Sequence, residues 1–277
     1  MSAQRSTSED TLVREACQLL GDRVLASEPL RGGDLSDVVR LQLRSGKNVV
    51  VKSGPFPDCE GHMLLRLKDA GAHVPLPIAS NEKVIVLEDL GAGATPSDDS
   101  WRALGISLRS VHAAEGDRYG WGEDYAFGPV RIHNGWRDTW SGFWFEKRLA
   151  ADLGALPADI VRQLDKLEVR IRETVPDHPQ RSLLHGDLWS GNVHFNAAGE
   201  AYLIDPASYY GHSEVDLAML TLFGSPPQAF WEAYGPLDEG WERRRHVYQL
   251  WPALVHLRLF GAAYHSLVER LMAVIES

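Results

Sequence analysis

The reading of this chain turns on two runs: His185-Gly186-Asp187-Leu188-Trp189-Ser190-Gly191-Asn192, and after it Leu203-Ile204-Asp205-Pro206. Four residues separate Asp187 from Asn192, and Asp205 stands eighteen residues beyond Asp187 at the end of an apolar strand pattern. Between the runs lies Asn196-Ala197-Ala198-Gly199, a set of turn formers. A strand-turn-strand there would bring Asp205 back to the cleft that holds Asn192. A carboxylate and an amide meeting in one cleft can share magnesium, a hard cation that prefers oxygen ligands. Taken singly, either acid reads as the cap of a turn or the end of a strand. Together, with an amide between them at this spacing, they match what phosphoryl transfer needs, namely a base near the attacking hydroxyl and ligands for the metal of a nucleotide.

The first ninety residues carry the complementary parts. Val49-Val50-Val51-Lys52 is a β-branched run ending in lysine, and Glu60 opens the next helical pattern, where a partner carboxylate is expected. In isolation Lys52 would read as a surface lysine at a strand end. Gly32-Gly33-Asp34-Leu35-Ser36 can bring backbone N–H groups close to phosphates, with Ser36 as a hydroxyl donor, although Gly-Gly is also an ordinary hairpin turn. Asp34 would be repelled by phosphate unless turned outward or engaged by metal. Past the strand Val84–Leu87, the backbone of Glu88-Asp89-Leu90 can read an adenine edge, so Glu88 and Leu90 join the expected nucleotide contacts.

Working outward, apolar positions 12, 13, 16, 17, 19 and 20 predict a helix over Thr11–Leu20, with Ser8 as its N-cap and Gly21 just past its end. From Val24 to Val51, β-branched runs broken by Gly32-Gly33 and by Arg44-Ser45-Gly46-Lys47 predict consecutive strands. A helix is expected over Glu60–Lys68. Gly91-Ala92-Gly93-Ala94-Thr95-Pro96 reads as a linker, which divides the chain into a nucleotide-binding lobe, residues 1–90, and a catalytic and substrate lobe, residues 91–277. Beyond it, helices are expected at Trp101–His112, Ala158–Thr174, Ser213–Phe223 and Trp241–Ile275, with a β-rich stretch at Leu183–Asp205.

Composition restricts the partners. The 277 residues, 44% hydrophobic, suit a packed core or two lobes sharing a cleft. No apolar run approaches the roughly 20 residues that span a bilayer. MSAQRSTSED at the start has no apolar segment of the kind that directs export, so the expected location is the cytoplasm and no membrane partner is expected. A net charge of −10, from 38 acidic and 28 basic residues, opposes binding to nucleic acid. Cys17 and Cys59 are too few for a zinc site and read as buried small hydrophobes, and no H-E-x-x-H or C-x-x-C spacing accompanies the eleven histidines.

On these motifs the chain resembles the fructosamine (ketosamine) kinases. The resemblance rests on HGDLWSGN at 185–192, IDPA at 204–207, and YYGHSEVDLAM with the following LFG at 209–224. It extends through GWGEDYAFGPV and WRDTWSGFWFEKRL, within 120–149, and EGWERRRHVYQLWPALVHLRLFG at 239–261. Choline kinases and aminoglycoside phosphotransferases share the HGD and Asn elements but typically continue the second motif as IDF or IDW. The resemblance implies a bilobal, protein-kinase-like α+β fold, with an antiparallel-sheet N-lobe carrying one main helix and a largely helical C-lobe. It implies ATP and Mg2+ as cofactors and phosphorylation of the C3 hydroxyl of a ketosamine. Asp187 would be the base, Asn192 and Asp205 the metal holders, and Lys52 with Glu60 the phosphate clamp. Trp189 looks like the platform for the sugar, with a buried structural tryptophan as the alternative. Asp216 looks like the buried acid that holds the catalytic-loop backbone. Some family members carry cysteine where Asp34 stands, so redox control through that loop is not expected. The competing readings are another small-molecule kinase of the same fold, acting on an aminoglycoside, choline or a sugar alcohol, and a non-catalytic nucleotide-binding module. A substrate panel separates the first, and a pure binder has no use for a base at Asp187.

Overall fold

The computed structural model describes residues 2–30 and 35–277, with the backbone path alone for 2–7. The glycine pair Gly32-Gly33 and Asp34 therefore lie outside the described residues. The chain begins with helix α1 (Ser2–Leu20), followed by β1 (Val24–Pro29), β2 (Val38–Leu43), β3 (Asn48–Ser53), α2 (Pro57–Asp69), β4 (Pro77–Ser80) and β5 (Val84–Glu88). The five strands form an antiparallel sheet in the order β1-β2-β3-β5-β4. Side chains alternate between the faces of a strand, so its two faces are built differently. Val39 and Leu41 of β2, Val49 and Val51 of β3, and Val86 of β5 pack with Leu12 and Ala16 of α1 in a small core. Ile85 and Leu87 turn the other way, to Met63, Leu64 and Leu67 of α2, and join the larger core. Lys52 shares the parity of Val50 and faces Ile85 across the β3–β5 ladder, and this turns its stem toward α2.

Two expectations about α1 need correction. The helix starts at Ser2, so Ser8 lies inside it and is no cap; its hydroxyl instead donates to Asp37, 2.6 Å away. The reason is that Ala3, Gln4 and Arg5 tolerate helix well, so it extends upstream of its apolar stripe. Cys17 is only half-buried, unlike Cys59, because it flanks the stripe of Leu12 and Ala16 that meets the sheet.

Beyond β5 come α3 (Asp98–Ala113), the hairpin β6 (Tyr125–Phe127) and β7 (Val130–Ile132), α4 (Trp140–Trp144), α5 (Ala158–Thr174), β8 (Ser182–Leu184), β9 (Val193–Phe195), β10 (Ala201–Leu203) and β11 (Tyr209–Gly211). The chain finishes with α6 (Glu214–Leu220), α7 (Gln228–Tyr234), α8 (Trp241–Phe260) and α9 (His265–Glu276). α3 opens on a capping box in which Ser97 and Ser100 exchange side-chain and backbone bonds. β9 and β10 pair antiparallel around the predicted turn, where the Asn196 side chain accepts from the N–H groups of Ala198 and Glu200. The long helix expected over Trp241–Ile275 is two helices. The apolar stripe continues through the region, but a 3-10 turn beginning at Gly261, with φ at +73°, breaks the helical hydrogen bonding between them. Among the described residues no helix is long and apolar enough to cross a membrane.

Candidate active site

The catalytic-loop motif leaves β8 at Leu184, where the strand is braced by β11 through the pair Leu184 and Tyr209. Three successive loop residues then have their backbone directed by buried polar groups. Asp216 of α6 accepts from the N–H of His185 at 2.7 Å through Oδ2 and from that of Gly186 at 2.9 Å through Oδ1. His112 of α3 donates to the same carboxylate at 3.1 Å. His185 Nε2 donates to the Ile204 carbonyl at 2.9 Å, which leaves Nδ1 as the acceptor for the N–H of Asp187 at 3.3 Å. Burial holds the His185 pKa below its ordinary value, in keeping with this neutral tautomer. Position 186 has φ at +85°, and a Cβ there would collide with the Ala207 carbonyl, so glycine is required.

Asp187 emerges from this frame half-buried, and Asn192 fixes it by donating from Nδ2 to its carbonyl at 2.8 Å and to its Oδ2 at 2.9 Å. Burial pushes the Asp187 carboxyl up to about 7; the charges of Asp205 and Asp216 add to the rise and the Asn192 hydrogen bond opposes it. Asp205 has φ at +56°, a left-handed conformation that costs a non-glycine residue energy and that aims its carboxylate back at the sheet. There Lys52 Nζ lies 2.9 Å from Asp205 Oδ1 and 2.9 Å from both oxygens of Glu60. Burial by itself lowers the Lys52 pKa, but Glu60 and Asp205 outweigh it and raise it, so the ammonium persists. Burial also pushes the Glu60 carboxyl up, with Lys52 opposing, and Tyr125 donates to Glu60 at 3.2 Å.

These groups share one cavity of about 510 Å³. Ser36, Lys52 and Glu60 line it from the sheet side, and Asp187, Trp189, Asn192 and Asp205 from the helical side. Glu88 and Leu90 do not line it: Glu88 ends β5 with its N–H donated to the Leu76 carbonyl at 2.9 Å. Trp189 is 38% exposed, which excludes a core tryptophan, and its ring covers Gly191, where any side chain would displace it.

Two groups of lining residues were not singled out by sequence. One is Tyr125 and Phe127 of the β6–β7 hairpin, whose three-residue strands are too short to show a period. The other is an aromatic wall formed by Phe223, Trp251, His256, Phe260 and Tyr264. Its α8 members recur at helical spacing, a pattern that reads as a core face when nothing marks the cleft.

The fructosamine kinase family model matches residues 23–276. The chain is 36% identical over 210 residues, 72% of its length and 71% of the other's, to a protein of Synechocystis sp. described as a probable ketoamine kinase. Its fold superposes with a TM-score of 0.85 on a crystal structure from Thermobifida fusca described as a candidate fructosamine-3-kinase, at 31% identity and covering 96% and 98% of the two chains. A spectinomycin phosphotransferase bound to ADP and spectinomycin, 17% identical with a TM-score of 0.60 over 96% and 93% of the chains, shares the fold alone. The chain belongs to the fructosamine kinase family. It has the bilobal protein-kinase-like α+β fold and is a phosphotransferase that uses ATP.

Proposed function

We propose that this member of the fructosamine kinase family transfers the γ-phosphoryl group of ATP to the C3 hydroxyl of a ketosamine, with Asp187 as general base. The observation that carries this reading is the half-buried Asp187 carboxylate, oriented by Asn192 in the same cavity as the Lys52–Glu60–Asp205 cluster. The acceptor oxygen gives its proton to Asp187 as it bonds to the γ-phosphorus, the bond from that phosphorus to the bridging oxygen breaks, and ADP leaves. Lys52, held by Glu60, clamps the phosphates. Ser36 offers them its hydroxyl from the cavity wall, and the backbone N–H groups expected of Gly32 and Gly33 belong to residues outside those described. With the Glu88 N–H engaged by Leu76, adenine is read by the Glu88 carbonyl and the Leu90 N–H. Trp189 is the platform for the sugar.

Asn192 and Asp205 suit Mg2+. Both offer hard oxygens, and Asn192 spends its Nδ2 on Asp187, which turns its amide oxygen away from that carboxylate. When bound there, magnesium neutralises charge that develops on the phosphates. The lobes meet at residues 90 and 91, and the enzyme works in the cytoplasm, where two free thiols such as Cys17 and Cys59 stay reduced.

Position three suits a repair reaction. A ketoamine can rearrange to a 1,2-enaminol whose nitrogen pushes electrons toward C3 and expels phosphate, after which hydrolysis frees the amine. Incubation with fructosyl-lysine, ATP and Mg2+ should give a 3-phosphate by phosphorus NMR that decays to inorganic phosphate, lysine and a deoxy-dicarbonyl. A stable 6-phosphate, or turnover only of choline or aminoglycosides, would remove the ketosamine assignment and leave the kinase.

A further inference from the structure

The cavity changes character along its length. Among the described lining residues, the charged side chains are Lys52, Glu60, Asp187 and Asp205, all at the phosphoryl end. The far end is walled by Met219 and Phe223 on the α6 side and by Trp251, Val255 and His256 on α8, with Tyr264 beyond. The His256 ring lies 4.8 Å from Phe223, 5.0 Å from Tyr264 and 5.6 Å from Phe260, centroid to centroid. His256 donates from Nδ1 to the Pro252 carbonyl at 2.8 Å, and burial lowers its pKa against the opposing pull of that bond, which disfavours a positive charge on the ring. Lys52 is already held by two carboxylates. Phe223 and Phe260 remain 43% and 41% exposed, at the solvent side of this wall.

A carboxylate laid on such a wall would lose water and meet no free cation among the described lining residues, and the negative faces of the rings would repel it. An alkyl or aryl group there gains by leaving water. Resting on the reading of this cavity as a ketosamine site, we propose that the aromatic wall binds the amine half of the acceptor and selects alkyl or aryl amines over α-amino acids, whose carboxylate adjoins the linking nitrogen.

Two adducts isolate that group. The ketosamines of fructose with pentylamine and with norleucine share the sugar and the four-carbon tail, and differ in the carboxylate next to nitrogen. Trp189 and Trp251 line the cavity, so quenching of tryptophan fluorescence reads binding whether or not turnover follows. The pentylamine adduct should bind at least about tenfold more tightly, by the scale on which pockets reject a mismatched group. Phe260→Arg, which places a cation beside the wall at an exposed position, should shrink that ratio, and salt should restore it. Equal affinities, a preference for the norleucine adduct, or a ratio untouched by Phe260→Arg overturns the inference. A preserved order of binding with neither adduct phosphorylated upholds the selectivity and sinks the ketosamine kinase reading. No binding of either adduct overturns both.

Discussion

At the phosphoryl end of the cavity Lys52 lies 2.9 Å from Glu60 and from Asp205, with only 8% of its side chain exposed, whereas at the acceptor end Trp189 and Phe260 keep 38% and 41% of their surface in solvent. The first end is built on a buried ion pair, Lys52 and Glu60, tolerable only because each partner is in place, with the half-exposed Asp205 completing it. The second is a preformed apolar surface, in which one ring can change without stranding a charge. Chemistry and acceptor choice are therefore carried by different physics, and substitutions at the two ends should fail in different ways.

The largest expected effect is Asp187→Asn, which removes the base and keeps the shape. Turnover should fall by roughly 10²–10⁴, while calorimetry finds Mg-ATP affinity unchanged. A parallel loss of ATP binding would mean that base and nucleotide site are not separable. Lys52→Met should cost about 3–5 kcal/mol of unfolding free energy in urea, since Glu60 is left buried and unpaired. Adding Glu60→Gln should recover part of that loss, and no recovery would argue against a coupled pair.

A pH profile sharpens the same end. The Asp187 carboxyl is raised to about 7, so its basic form predominates above that value and is lost as pH falls through it. Activity should then drop about tenfold per unit below 7. Asn192→Ala, which removes the hydrogen bond that opposes the rise, should move the inflection upward.

Effects at the acceptor end are smaller and selective. Trp189→Ala should raise the ketosamine KM by up to about tenfold, the worth of one stacked ring, with the KM for ATP unchanged. Equal damage to both, with a lower melting temperature, would return Trp189 to a structural role. Smallest is Tyr125→Phe, which deletes the hydroxyl donated to Glu60. A loss of about 0.5–1.5 kcal/mol is expected, seen as weaker ATP binding, because the hairpin that lines the acceptor cavity also touches the clamp.

How much was legible depended on how local each signal was. Val49-Val50-Val51-Lys52 announces a strand, and its parity puts Lys52 opposite Val51, toward α2. The turn at Asn196–Gly199 announces the hairpin that carries Asp205 back toward the loop, and Ile204 is joined to Asn192 by a backbone bond of 3.1 Å. The extent of α1 and the break at Gly261 were misread because an apolar stripe marks which face is buried and says little about where hydrogen bonding stops. Arg148 gave no signal at all. It is buried with its guanidinium over the rings of Tyr209, Phe143 and Trp251, at 4.1, 4.7 and 4.9 Å, and those rings come from three separate stretches of chain.

What the sequence by itself determined is the identity and spacing of the reacting groups: a base, an amide and a carboxylate within nineteen residues, and a lysine and a glutamate eight apart. Phosphoryl transfer needs those groups in near-fixed order along short segments, so they leave a local trace. Tertiary structure alone decided that His112, 104 residues before Asp216, braces the carboxylate that holds the loop, that Tyr125 reaches Glu60, and that a stripe on α8 faces a cavity as well as the core. Burial and hydrogen-bond partnership depend on what packs against a residue, and helical periodicity is the same whether the surface it meets is protein or ligand.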